Sequence, residues 1–170
     1  MKCRVAIVVV GVLCLLLSSA GQLAVAQDKA TPQELVKKVQ EAAASLAKSG
    51  DAGLSAFSQK AAPWVWKDSY VFVLDCAKTV VAAHPMKPDL VGTNTKDAKG
   101  TDFIAQICAG AKSPSGVWAE FWLPKPGEKE PGRKIGYGLK AGDTSYVAVA
   151  AIFNDTVALK DVAGLSVGSN

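Results

Sequence analysis

Histidine is almost missing from this chain: His84 is the only one among 170 residues. A histidine-based zinc site therefore has no ligand set. Cysteine is scarce as well. Cys3, Cys14, Cys76 and Cys108 form neither a CxxC nor a CxxCH spacing, so thiol-redox chemistry and covalent haem attachment lack their residues. GxSxG, the P-loop and GxGxxG do not occur. Asp68, Asp75, Asp97 and Asp102 are scattered through turns without the spacing of a calcium loop. No nucleophile–base pair is marked, and Pro85 directly follows the one histidine. The chain therefore reads as non-enzymatic, with no metal and no cofactor. Charge of one sign is weak too. Lys and Arg number 19 against 15 Asp and Glu. Setting aside Lys2 and Arg4 at the extreme N-terminus leaves 17 against 15, a net +2, too little for a nucleic-acid footprint.

What is present begins with a leader. Lys2 and Arg4 precede an apolar run from Val5 to Leu17, and Ala24-Val25-Ala26 places small residues just before Gln27. This is the three-part pattern of a cleavable export signal over residues 1–26. A membrane anchor is the rival reading, since the uncharged run to Ala26 reaches the ~20 residues needed. Ser18, Ser19, Gly21 and Gln22 weaken that run. A lipoprotein site at Cys14 is disfavoured by the bulky Leu13 before it. Export predicts a periplasmic or secreted protein. It leaves Cys76 and Cys108 in an oxidising compartment, where a single disulfide is expected. Two buried thiols are the other reading.

The mature chain reads as one α+β domain over 27–155, with a C-terminal tail over 156–170 that shows no strong pattern. Thr31, Pro32 and Glu34 make a helix start with a capping box. Leu35, Val39, Ala42, Ala43 and Leu46 follow at helical spacing until Ser49-Gly50. Asp51 begins a second, shorter helix to about Ala61. Residues 69–75 and 79–84 read as a hairpin, 102–112 as a short helix, and 117–123, 133–140 and 145–153 as three further strands. Strands joined by short loops form an antiparallel sheet, which the first helix can cover.

The informative chemistry lies in residues 116–127. Alternation sends Val117, Ala119, Phe121 and Leu123 to one face, and Trp118, Glu120 and Trp122 to the other. If Glu120 is buried it needs a cationic or donor partner, for which Lys125, Lys134 and His84 are the candidates. Gly136 and Gly138 share a face of the next strand, a sign that something bulky approaches there. Indoles opposite small residues either interlock or wall a pocket. Lys125, held extended between Pro124 and Pro126, is a candidate carboxylate clamp; a solvated hairpin lysine is the alternative.

The segments Trp66 to Val73, Ala83-His84-Pro85, Asp97 to Gly100, Gly116 to Gly127 and Lys134 to Tyr137 together resemble the single Cache domain, type 2 subfamily. The likeness covers roughly residues 32–155. It implies a PAS-like fold, with a long N-terminal helix packed on a five-stranded antiparallel sheet and a small-molecule pocket on the other face. It also implies an extracytoplasmic sensor of small carboxylates or amino acids. By that likeness Tyr70, Phe72, His84, Trp118, Trp122, Lys125 and Tyr137 would line the pocket. Alternation places Tyr137 away from Gly136, which sets it apart. The last strand, Val147 to Ala151, departs from the family's glycine and threonine pattern. No output domain follows the motifs, so a free-standing exported form is expected. Its partners would be a small carboxylate ligand and a membrane-bound sensor or transport protein. The rival is a ligand-free accessory protein of an envelope signalling or redox system.

Overall fold

The computed structural model describes residues 28–166 and 168. The expected export signal lies outside them. The first helix, α1 (Pro32–Ser49), starts as its sequence dictates. The Thr31 hydroxyl accepts the Glu34 N–H, and the Glu34 carboxylate accepts the Thr31 N–H. A 3-10 helix follows over Gly50–Ser58. It is tighter and shorter than the helix expected to about Ala61, and it brings Phe57 into the core.

Six strands come next: β1 (Val65–Trp66), β2 (Ser69–Asp75), β3 (Val80–Ala83), β4 (Val117–Pro124), β5 (Pro131–Lys140) and β6 (Tyr146–Phe153). Helix α2 (Phe103–Gly110) lies between β3 and β4. All strand pairs are antiparallel. The order is β1-β2-β6-β5-β4, with β3 also paired to β2. This is the expected PAS-like sheet with the two-residue β1 added.

The sheet is apolar on both faces. On the first, α1 sets Leu35, Val39, Ala42, Ala43 and Leu46 against Val71, Val73, Ile135, Tyr137, Ala148, Ala150 and Ile152. Burying each Leu, Val or Ile of such a face contributes ~1.5–3 kcal/mol. On the second face, α2 sets Phe103, Ile104 and Ile107 against Phe72, Leu74, Phe121, Val147 and Val149. Gly138 permits that approach: a Cβ there would sit 2.9 Å from Ile107. The glycine face of β5 thus receives the protein's own helix at this point. Cys76 and Cys108 form the expected disulfide, fastening α2 to the end of β2.

The segment beyond Asp155, patternless in sequence, packs back on the α1 side. It contains the short helix α3 (Leu159–Val162), with Val162 buried. Arg133 donates to the carbonyls of Asn154 and Val157, and Trp118 Nε1 donates to the carbonyl of Leu165.

Candidate functional site

Strand β5 alternates Ile135 and Tyr137 toward α1, and Lys134, Gly136 and Gly138 toward the other face. Lys134 is therefore delivered into an apolar surface. Its register partners are Phe121 on β4 and Phe153 on β6. It is 5% exposed. Its ammonium lies 4.8 Å from the centroid of the Phe153 ring and 5.2 Å from that of Tyr70. It makes no hydrogen bond or ion pair with any of the described residues. Burial lowers its pKa from 10.5 to about 8; the Lys87 charge acts in the same sense and Asp68 opposes it. At neutral pH it remains a cation without a counter-ion. Aromatic faces offset ~0.5–2 kcal/mol of the burial cost, which is several kcal/mol.

His84 stands where β3 gives way to the Pro85 turn. Its Nδ1 accepts the backbone N–H groups of Met86 and Lys87, at 3.2 and 3.0 Å. The neutral ring therefore carries its proton on Nε2. Burial, with the positive charges of Lys134 and Lys87, lowers its pKa to about 4 against a weaker opposing effect from Asp89, so it is neutral at pH 7. The ring lies 5.0 Å from Tyr70 and 5.5 Å from Phe72. Burial also raises the Tyr70 phenol pKa, keeping the hydroxyl protonated. Lys134, His84 and Tyr70 thus make a cluster of hydrogen-bond donors with one buried positive charge, flanked by the rings of Phe72 and Phe153. Such a cluster is suited to an anion.

Lys125 borders this cluster. A Cβ at Gly132 would lie 2.9 Å from Lys125 Cε and 3.1 Å from Phe153 Cδ1, so the lysine stem crosses Gly132 beside the same ring. Its ammonium is 5.8 Å from the Phe153 centroid. The structure thus brings Tyr70, Phe72, His84 and Lys125 together. It places Trp118, Trp122 and Tyr137 elsewhere, which corrects the expectation of one pocket walled by all seven. The reason is the strand register. Tyr137 is the partner of Trp118, and both turn toward the α1 side; Trp122 lies further along β4, against the loop that carries Asp97 and Lys99. Tyr137 is fully buried and its hydroxyl donates to the Ser115 carbonyl. The Trp118 ring packs 5.1 Å from it. Trp122 lies under the Lys99 ammonium, 3.0 Å from its ring centroid, and its backbone N–H donates to the Asp97 carboxylate.

Glu120 is also corrected. Its carboxylate pairs with Arg133 at 2.7 Å, not with Lys125, Lys134 or His84. Lys134, in turn, stands in this cluster without being among the seven residues expected there. The signal was its place two and four residues before Gly136 and Gly138, on the face where the strand leaves room. Among the described residues no cluster of His, Cys, Asp and Glu is placed to hold a metal ion.

The family model described as Single Cache domain 2 matches residues 17–147. No curated protein sequence matches the chain. Solved structures do. The periplasmic sensor domain of a chemotaxis protein is 19% identical with a TM-score of 0.53, covering 72% of this chain and 90% of its own. A Cache chemosensory domain described for carboxylic acid recognition is 19% identical with a TM-score of 0.54, covering 72% and 88%. A methyl-accepting chemotaxis protein from Vibrio parahaemolyticus is 23% identical with a TM-score of 0.51, covering 72% and 82%. At these identities the likeness is one of fold.

Proposed function

Because the chain belongs to the single Cache domain 2 family, and is thus a sensor module rather than an enzyme, we propose that it binds a small organic carboxylate. The carboxylate is taken by Lys134, with Tyr70 and His84 Nε2–H as further donors and the Phe72 and Phe153 rings against its body. The observation that carries this reading is the Lys134 ammonium, buried and without a counter-ion among the described residues. An incoming carboxylate supplies the missing charge and takes up the free donors in one step. A related Cache chemosensory domain recognises carboxylic acids, and another relative is periplasmic. With the leader pattern, these favour a periplasmic location, where a membrane-bound sensor or transport protein would read the occupied state. Lys125 serves at the rim, and the clamp role expected of it passes to Lys134.

Thermal unfolding with and without acetate tests the assignment. Ligand at ~100 times its Kd contributes ~2.7 kcal/mol, an easily measured rise in Tm. Lys134→Met is expected to abolish that rise while raising the Tm of the unliganded protein, since it removes an uncompensated buried charge. Lys125→Ala is expected to reduce the rise without abolishing it. An undiminished acetate response in Lys134→Met would discard the assignment.

A further inference from the structure

The candidate site and the C-terminal segment meet across two peptide positions. Lys134 and Phe153 are register partners on the site face. Their chain neighbours, Arg133 and Asn154, hold the segment on the opposite face. The Asn154 N–H donates to the Arg133 carbonyl at 3.0 Å. The Arg133 guanidinium donates to the Asn154 and Val157 carbonyls at 2.9 and 2.8 Å, and is itself oriented by the Glu120 carboxylate. Asn154 Oδ1 accepts the N–H groups of Thr156 and Val157, closing the turn that launches the segment.

The segment is held at a few points rather than packed throughout. Val162 is its buried anchor, and the Leu165 carbonyl accepts Trp118 Nε1–H. A cavity of about 380 Å³ remains between it and the start of β4, lined by Val117, Trp118, Leu159, Ala163 and Leu165 among others. A four-residue helix has no stability of its own. Its seating therefore depends on the Arg133 grip, the Trp118–Leu165 hydrogen bond and the packing of Val157, Leu159 and Val162, and it belongs to the low-stability end of the fold.

Resting on the carboxylate reading above, we infer that occupancy of the Lys134 site and seating of residues 154–165 are coupled through the Lys134–Phe153 pair, with Arg133 as the positioning residue. In the empty site, an uncompensated cation weakens the β5–β6 pairing where Arg133 and Asn154 lie. An anion on Lys134 consolidates that pairing, and the segment opens less often. The coupling is reciprocal: complete release of the segment must weaken the ligand by the same factor by which the ligand tightens the segment, and partial release by less.

The test is hydrogen exchange by NMR with acetate as the probe, read at the Trp118 indole N–H and the Asn154 amide. Saturating acetate is expected to slow both about fivefold, at the lower end of ordinary coupling. Val162→Ala, which touches no group of the site, is expected to weaken acetate binding in proportion to the fraction of segment it releases, by up to that factor. Arg133→Gln is expected to remove the exchange response while leaving acetate binding detectable. Unchanged exchange at both positions in acetate-bound protein overturns the coupling and leaves the carboxylate reading intact. Unchanged affinity in a Val162→Ala protein whose Trp118 indole and Asn154 amide protons have lost their protection does the same. Absence of any acetate binding to the unmodified protein overturns the carboxylate reading and the coupling together.

Discussion

The two faces of the sheet are built from the same strands and serve opposite ends. The α1 face is filled: Tyr137 is fully buried with its hydroxyl on the Ser115 carbonyl, and Ile135 is equally inaccessible. The opposite face is filled where α2 lies. Beyond α2 it holds a lysine without a counter-ion among the described residues, a histidine kept neutral and a protonated phenol. The Tyr137 hydroxyl on the first face has its partner within the protein, and Trp66 Nε1, packed against the same core, is the one fully buried side-chain polar atom among the described residues left without one, so that face mainly contributes stability. The polar groups on the second face still have donors to offer, so it has room for function at some cost in stability. The contrast also shows that aromatic density is a poor guide to a binding face. Two of the four tryptophans of the chain, Trp118 and Trp122, look like pocket walls in the sequence, yet Trp118 packs on the stabilising side and Trp122 under the Lys99 loop.

Substitution of one residue on each face gives the largest expected difference. Tyr137→Ala should cost ~3–5 kcal/mol in denaturant unfolding, since it empties a large buried volume and strands the Ser115 carbonyl. Lys134→Met, three residues earlier on the other face, should show no loss. Equal destabilisation by the two variants would erase the distinction between the faces. The disulfide comes next. It closes a loop of 32 residues and fastens α2 over the second face. Replacing Cys76 and Cys108 together by alanine should cost ~3–4 kcal/mol. The same variant should weaken acetate binding, because the covering of that face is loosened. A stability loss with unchanged affinity would confine the bridge to a structural role.

Much of this was legible in the chain because the relevant signals are local. Thr31, Pro32 and Glu34 specify the start of α1 through contacts within one turn, and alternation along β4 and β5 separates the two faces correctly. Which face holds the site is not a local property. It depends on β5 pairing in register with β6, which sets Lys134 beside Phe153, and on the turn after His84, which fixes the tautomer through the Met86 and Lys87 amides. Glu120 shows the same limit. The sequence offers Lys125, Lys134 and His84 as partners, but the register places Arg133, diagonal to it on the same face, within reach. The C-terminal segment gave no periodic signal because it is held by backbone carbonyls on Arg133 and Trp118, which any sequence supplies.

Acidity acts on the second face more than on the first. The His84 pKa is about 4 in the fold against 6.5 for the free side chain. Its folded value is depressed, so the unfolded chain binds the proton more readily between those values. Stability should be fully present above pH 6.5 and fall by ~2–3 kcal/mol as the pH drops toward 4. His84→Phe should flatten that stretch of the pH–stability curve, and an unchanged curve would assign the loss elsewhere. Lys134 gives the same sign at the alkaline end. Its pKa of about 8 lies below 10.5, so its contribution to stability grows as pH rises through that window. Ligand binding should move the opposite way, because the carboxylate needs the charged amine. Acetate affinity should fall up to about tenfold per pH unit above pH 8, and titration calorimetry across pH 7–10 reads it.

The smallest effects separate the two helices rather than the two faces of the sheet. Each begins on a side-chain cap: Thr31 for α1, and for α2 Asp102, whose carboxylate accepts the Ala105 N–H at 2.9 Å. Thr31→Ala should cost ~1 kcal/mol, because it removes half of a reciprocal pair and leaves the Glu34 N–H to water. The other half should persist. Glu34 is held below the usual carboxylate range first by the Lys67 ammonium at 2.7 Å and then by the Thr31 amide, and both contacts survive the substitution. Asp102→Ala should cost less than Thr31→Ala. Helix α2 is also fastened near its C-terminal end by Cys108, so fraying of its first turn cannot spread into loss of the helix. In the Cys76→Ala/Cys108→Ala background that protection is gone, and the Asp102→Ala penalty should rise to match that of Thr31. A penalty that stays the same with and without the bridge would show that the cap and the disulfide act independently on the covering of the site face.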